Sequence, residues 1–181
     1  GGLRSMTTGG DPVWPLVVPE ALEDLQELTL DERRAEAVLV GDLGDEWSFD
    51  LLNRAFRLLL GGAELVAIQK NRFWRTAQGL RLDSGPFVAA LEYAADATAH
   101  VVGKPSLHFY RDAAETLSAA PEEVVMVGDD VDADVAGASA AGFRAVLVRT
   151  GKYLAEQEGK SDPPPAAVLD SIADLPHWLG I

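Results

Sequence analysis

The chain has 181 residues, 48% of them apolar and 24% charged, with 29 acids against 15 Lys and Arg and a net charge of −14. There are no cysteines, so disulfides and thiolate metal sites are excluded. No apolar run approaches the ~18 residues of a membrane span, the first residues hold no apolar signal segment, and the acidic balance opposes general nucleic-acid binding. A phosphorylated substrate stays open to such a chain, provided that a metal ion or a lysine sits in the site. These features fit a reducing, cytoplasmic setting.

Residues 1–12, with four glycines, predict a flexible tail. Val13–Val18 is a short apolar run interrupted by Pro15, and 20–36 is weakly helical, with Leu22, Leu25, Leu28 and Leu30 among acids. Ala37–Val40 predicts a strand. Ser48 is placed to cap a helix whose Leu51, Leu52, Ala55, Phe56, Leu59 and Leu60 recur at helical spacing until Gly61-Gly62. Glu64–Ile68 predicts a strand, 71–81 an aromatic and basic loop with a hairpin at Gln78-Gly79, and Pro86 the start of another helix.

His100–Val102 predicts a strand that runs into Gly103-Lys104-Pro105-Ser106 and a helix bearing Leu107, Tyr110, Ala114 and Leu117. Val124–Val127 is a strand ending in the acids Asp129, Asp130, Asp132 and Asp134. Val135–Ala141 predicts a small-residue helix, Ala145–Val148 a strand with Thr150-Gly151 at its end, 158–165 a solvated loop, Val168-Leu169 a short strand and 170–179 a closing helix. Strands alternating with helices predict an α/β fold with a largely parallel sheet, whose ligands bind beyond the carboxyl ends of the strands.

Four carboxylates so close together invite three readings. Asp130, Asp132 and Asp134 have D-x-D-x-D spacing, but Val135 and Ala141 stand where a calcium loop needs Gly and Glu. A solvated turn with one Asp capping the next helix is the plain alternative. A magnesium site is the third: Mg²⁺ needs only one or two protein carboxylates, and Asp134 can reach back to fix Asp129 or its waters. Lys104, at another strand end, would offset the acids and neutralise a phosphoryl group.

Together, "VVGKPSLHFY" and "VMVGDDVDADVAGASAAGFRAVLVRTGKY" resemble the lysine motif and the acidic metal motif of haloacid dehalogenase-like (HAD) phosphatases. The resemblance covers residues 13–181 and is to the class with a large α/β cap inserted into the core. The branch containing phospholysine phosphohistidine inorganic pyrophosphate phosphatase is the nearest match, and the NagD-like phosphatases a more distant one. It implies a HAD-like Rossmannoid parallel sheet, apparently incomplete, with a core segment at 13–35, the cap at 36–99 and the rest of the core at 100–181. It also implies Lys104 as catalytic, Asp129, Asp134 and Asp130 at Mg²⁺, and a small phosphorylated substrate. Lys70, Asn71 and Arg72 would contribute to substrate selection, with Arg75 beside them. Trp47, Phe73 and Trp74 would either shape a substrate pocket or pack structurally. His100, His108 and His177 lack metal spacing and read as structural.

The family's first motif, a strand followed by D-x-D-G-[TV], is absent, and so is the Ser or Thr of its second. "VLVGDLGD" puts Asp42 and Asp45 three apart rather than two, so Asp42 is a poor nucleophile candidate. Three explanations stand: a fragment of a longer protein, a core completed by a partner chain or by homodimerisation, or a non-catalytic binding or regulatory relative.

Overall fold

The structure, a computed structural model, describes residues 10–181. The tail predicted over 1–12 falls mostly outside them. Residues to Gly103 form one compact unit and residues from Lys104 a second. Among the described residues, no helix is long and apolar enough to cross a membrane.

The N-terminal unit is built on a parallel sheet of β1 (Val13–Leu16), β2 (Ala37–Val40), β3 (Glu64–Ala67) and β6 (His100–Val101), in the order β1-β2-β3-β6. The uninterrupted apolar run of β2 is explained by its place inside the sheet with both faces covered. Val38 and Val40 join Trp14, Leu16, Leu65 and Ala67 against helices α1 (Phe49–Leu60) and α2 (Gly85–Ala95). Ala37 and Leu39 join Val13 and Val66 on the opposite face against Leu22, Leu25 and Leu28. Alternate residues of each strand thus enter different cores, as the period of two requires. Ser48 caps α1 as expected, its Oγ accepting the Leu51 N–H at 3.2 Å.

Between β3 and α2 lies an antiparallel hairpin, β4 (Phe73–Thr76) and β5 (Gly79–Leu82), with Thr76 opposite Gly79. Gly79 takes φ +115°, a backbone that other residues rarely adopt. The hairpin is therefore where the Gln78-Gly79 signal puts it. The weak helix of 20–36 takes another form: 3₁₀ turns at Pro19–Leu25 and Glu32–Arg34. Leu22, Leu25 and Leu28 are spaced by three, the period of a 3₁₀ turn rather than of an α-helix.

The sequence-based division at 36 and 100 differs from the structural one. Residues 13–35 stand apart from 36–99 in that division, yet β1 pairs along its whole length with β2. His100–Val101 pairs with Val66 and Ala67, and the Gly103 N–H donates to the Ile68 carbonyl at 2.8 Å. Both segments thus belong to the first unit, because their backbone hydrogen bonds are made there.

The C-terminal unit has a parallel sheet in the order β7 (Val125–Gly128), β8 (Arg144–Val148), β9 (Ala167–Leu169). Helix α3 (Leu107–Leu117) buries Tyr110 and Ala114 in a core with Val131, Val135, Ala138, Phe143, Ala145 and Leu147. Among the described residues β7 pairs only with β8, so its other edge is unpaired and its residues are half-buried. The helix predicted from Val135 begins earlier, as a π-helical turn over Val131–Ala136 that passes into α4 (Gly137–Ala140). The closing helix is shorter than predicted: a 3₁₀ turn at Ile172–Asp174, capped by Ser171, precedes α5 (Leu175–Leu179).

Candidate active site

The carboxyl ends of β7 and β8 and the N-terminus of α3 bring Lys104, Asp129, Asp130, Asp134 and Lys152 together. Asp134 lies underneath and is 4% exposed. Its Oδ1 accepts from Lys104 Nζ at 2.7 Å, and its Oδ2 accepts the N–H groups of Asp129 and Asp130, each at 3.1 Å. Five positions along the chain, Asp134 thus reaches back to hold the backbone that carries Asp129. Gly128 permits this: a β-carbon there would fall 2.1 Å from Asp134 Oδ2.

Asp130 has two tasks. Its Oδ1 accepts from Asp132 N at 2.9 Å and Ala133 N at 2.8 Å, opening the π-helical turn, while its Oδ2 pairs with Lys152 Nζ at 2.7 Å. Burial would raise this carboxyl, but the Ala133 N–H, the Lys152 ammonium and the Asp132 N–H outweigh it and hold the group below its ordinary value. π-Turns are rare and occur often at functional sites. Here the widened turn carries the i→i+5 hydrogen bond from Val135 N to the Asp130 carbonyl, at 3.2 Å.

Asp129 is the member of the trio without a lysine partner. Its Oδ2 accepts the backbone N–H of Lys152 at 2.8 Å. Gly151, at φ +59°, allows this approach, since a β-carbon there would meet the same oxygen at 1.8 Å. Below the loop, Tyr110 donates its hydroxyl to the Ala133 carbonyl. Burial, with the charges of Asp134 and Asp130 nearby, pushes its phenol up to about 12.

Lys104 and the three acids therefore share one site. Lys152 belongs with them and does not figure among the residues predicted from sequence. The signal for it was the same one that singled out Thr150: it closes the Thr150-Gly151-Lys152 run after a strand. The proposed selectivity residues lie in the other unit. Lys70 Nζ pairs with Glu92 Oε2 at 2.6 Å. Burial opposes ionisation of Glu92, but the Lys70 ammonium and the Ala99 N–H keep its carboxyl below its ordinary value. The Asn71 N–H donates to Gln69 Oε1, and the Arg72 carbonyl accepts from Asp83 N. Asp42, the nearest imitation of a nucleophile, also lies in that unit, with its Oδ1 accepting the Gly44 N–H at 2.9 Å.

A family model described as HAD-hydrolase-like matches residues 101–175. Bovine haloacid dehalogenase-like hydrolase domain-containing protein 2 is 45% identical over 162 residues, covering 90% of this chain and 61% of its own length. The chain belongs to the HAD-like hydrolase family. Phospholysine phosphohistidine inorganic pyrophosphate phosphatase from Xenopus laevis is 43% identical over 132 residues, covering 72% of this chain and 49% of its own. The chain thus spans about half to three-fifths of the length of these curated relatives. Among solved structures, p-nitrophenyl phosphatase from Archaeoglobus fulgidus superposes with a TM-score of 0.82 at 27% identity, covering 97% of this chain and 70% of the other. NagD from E. coli, at 23% identity and a TM-score of 0.78, shares the fold. The α/β architecture is that of the HAD-like phosphatases.

Proposed function

We propose that the C-terminal unit is the phosphoryl-binding part of a Mg²⁺-dependent phosphatase of small phosphorylated molecules, and that the N-terminal unit is the family's inserted cap. The observation that carries the reading is the Lys104–Asp134 pair, which fixes a cation beside Asp129 and Asp130 at the carboxyl edge of a parallel sheet. Relatives named as phosphatases support it.

The donor chemistry fits Mg²⁺ held by few protein oxygens. Asp134 is engaged through both oxygens and Asp130 by Lys152, which leaves Asp129 as the carboxylate for the metal. Among the described residues no group of three or more side chains would cage an ion, and Mg²⁺ needs no such cage when water and phosphate complete its shell. Bound there, the ion would supply positive charge against phosphoryl oxygens. Lys104 would bind and orient the phosphoryl group, and Asp134 would position both Lys104 and the Asp129 backbone. In this reading the nucleophilic carboxylate lies outside residues 1–181, and its strand would pair with the unpaired edge of β7.

Two measurements test this. Calorimetry with inorganic phosphate and Mg²⁺ should show binding that Lys104→Met or Asp129→Asn weakens about tenfold or more, the scale of one charge-assisted hydrogen bond. Hydrolysis of p-nitrophenyl phosphate should appear when the segment encoded upstream of residue 6 is added, and vanish again in Asp129→Asn. Phosphate and Mg²⁺ affinities untouched by both substitutions would refute the site. Turnover by the 181 residues alone would refute the location of the nucleophile, and an extended protein that binds phosphate without turnover would indicate a non-catalytic module.

A further inference from the structure

A cleft of about 270 Å³ lies wholly within the N-terminal unit, between the Asp42–Trp47 loop, the β4–β5 hairpin and the start of α2. We propose that it binds a small organic cation: an ammonium group on a short apolar body. This inference is independent of the phosphatase reading, since it concerns binding in the other unit.

Charge is the first argument. Asp42, Asp45 and Asp83 line the cleft against a single cation, Arg81. Arg81 is already paired with Asp45. The partners of the other two acids are neutral. Asp42 accepts the Gly44 N–H, and Asp83 accepts from the Gln69 side-chain amide and the Ser84 N–H. Two carboxylates in one concavity thus lack a counter-charge among the described residues, and bringing them together favours a cationic ligand.

The walls select the kind of cation. Trp47 stacks on Phe87 with centroids 4.1 Å apart and planes 7° from parallel, which holds both rings firmly at the cleft. Trp74 stands on the hairpin side, 44% exposed. Aromatic faces attract ammonium groups through their quadrupole and offer nothing to a hydrated metal ion. Nor do the acids form a metal site, since no trio of them among the described residues would hold a metal. The volume is slightly below the range of drug-sized sites, which suits a ligand of choline or butylammonium size.

The test is titration of the full chain with choline, n-butylammonium, the uncharged choline isostere 3,3-dimethylbutanol, inorganic phosphate and Mg²⁺, read by tryptophan fluorescence and calorimetry. The expected result is saturable binding of the two ammonium compounds and none of the isostere. The pair Asp42→Asn and Asp83→Asn, which preserves shape and acceptors, should weaken binding about tenfold, or about 1.4 kcal/mol. Trp74→Ala, on an exposed site, should weaken it to a similar degree with unchanged circular dichroism. Equal binding of the isostere, tighter binding of phosphate or Mg²⁺, affinity unchanged in both variants, or no saturation by about 10 mM would each overturn the proposal.

Discussion

Lys104→Met removes the ammonium from Asp134 and leaves a 4%-exposed carboxylate held only by the N–H groups of Asp129 and Asp130. Breaking a fully buried ion pair costs about 3–5 kcal/mol. The lysine side chain here is 36% exposed, so water screens part of the interaction, and the two N–H groups remain, which brings the expected cost to about 2 kcal/mol. Asp134→Asn should cost about as much, because its amide would face the Lys104 ammonium while its oxygen keeps the two N–H groups. In the double variant that clash is absent, so the total should stay near 2 kcal/mol rather than reach ~4, a coupling within the range of contacting residues.

Hydrogen exchange of the β8 amides reads the C-terminal unit without interference from the first. Each single variant should lower their protection about 30-fold, and the double variant no further. Strict additivity, with the double variant losing close to the product of the single effects, would show that the two side chains are energetically independent. The Lys104–Asp134 pair would then not be what fixes the loop.

Gly128→Ala should destabilise the same unit by about 2–3 kcal/mol in a thermal scan, since its β-carbon would displace Asp134 and every bond that Asp134 makes. Alkaline titration of tyrosinate absorbance should show a phenol ionising at about 12, absent in Tyr110→Phe. Because the folded value lies above the ordinary 10.0, this stabilising contribution is complete below pH 10 and is lost as pH rises through about 12. At the acid end, the Arg149 guanidinium and the Tyr153 hydroxyl lower Glu158 from its ordinary 4.5 to about 2. Its contribution is therefore present above pH 4.5 and is lost as pH falls through about 2. Arg149→Met should shift that loss to higher pH in acid denaturation followed by circular dichroism.

Local chemistry was legible in the sequence and long-range pairing was not. The cap at Ser48, the stop at Gly61-Gly62, the turn at Gly79 and the buried run of β2 each depend on a few adjacent residues. The segment 13–35 depended on which strand lay beside it. Pro15, which lacks an N–H, argues against a central strand, but β1 is at the sheet's edge, where a proline is tolerated. β6 is only two residues long, and nothing in His100–Val101 says which unit's sheet it joins. The helix after the acids was predicted four residues late because Asp132 and Asp134 are weak helix formers. Side-chain acceptance by Asp130 overrides that propensity at the start of the turn.

The acid cluster itself shows where reasoning from charge alone stops. Four carboxylates in six positions imply a counter-charge, and a metal ion is the obvious supplier. The protein supplies most of it instead: Lys104 and the N–H groups of Asp129 and Asp130 serve Asp134, while Lys152 and the N–H groups of Asp132 and Ala133 serve Asp130. Asp132 faces solvent. Hydrogen bonds and ion pairs within the protein thus account for the shape of the loop, and on the proposed reading they form the frame that would present Asp129 to a metal. On the proposed reading, such a frame would favour a cation that keeps most of its waters over one that must be enclosed, and Asp129, rather than the cluster as a whole, would be the residue on which metal binding turns.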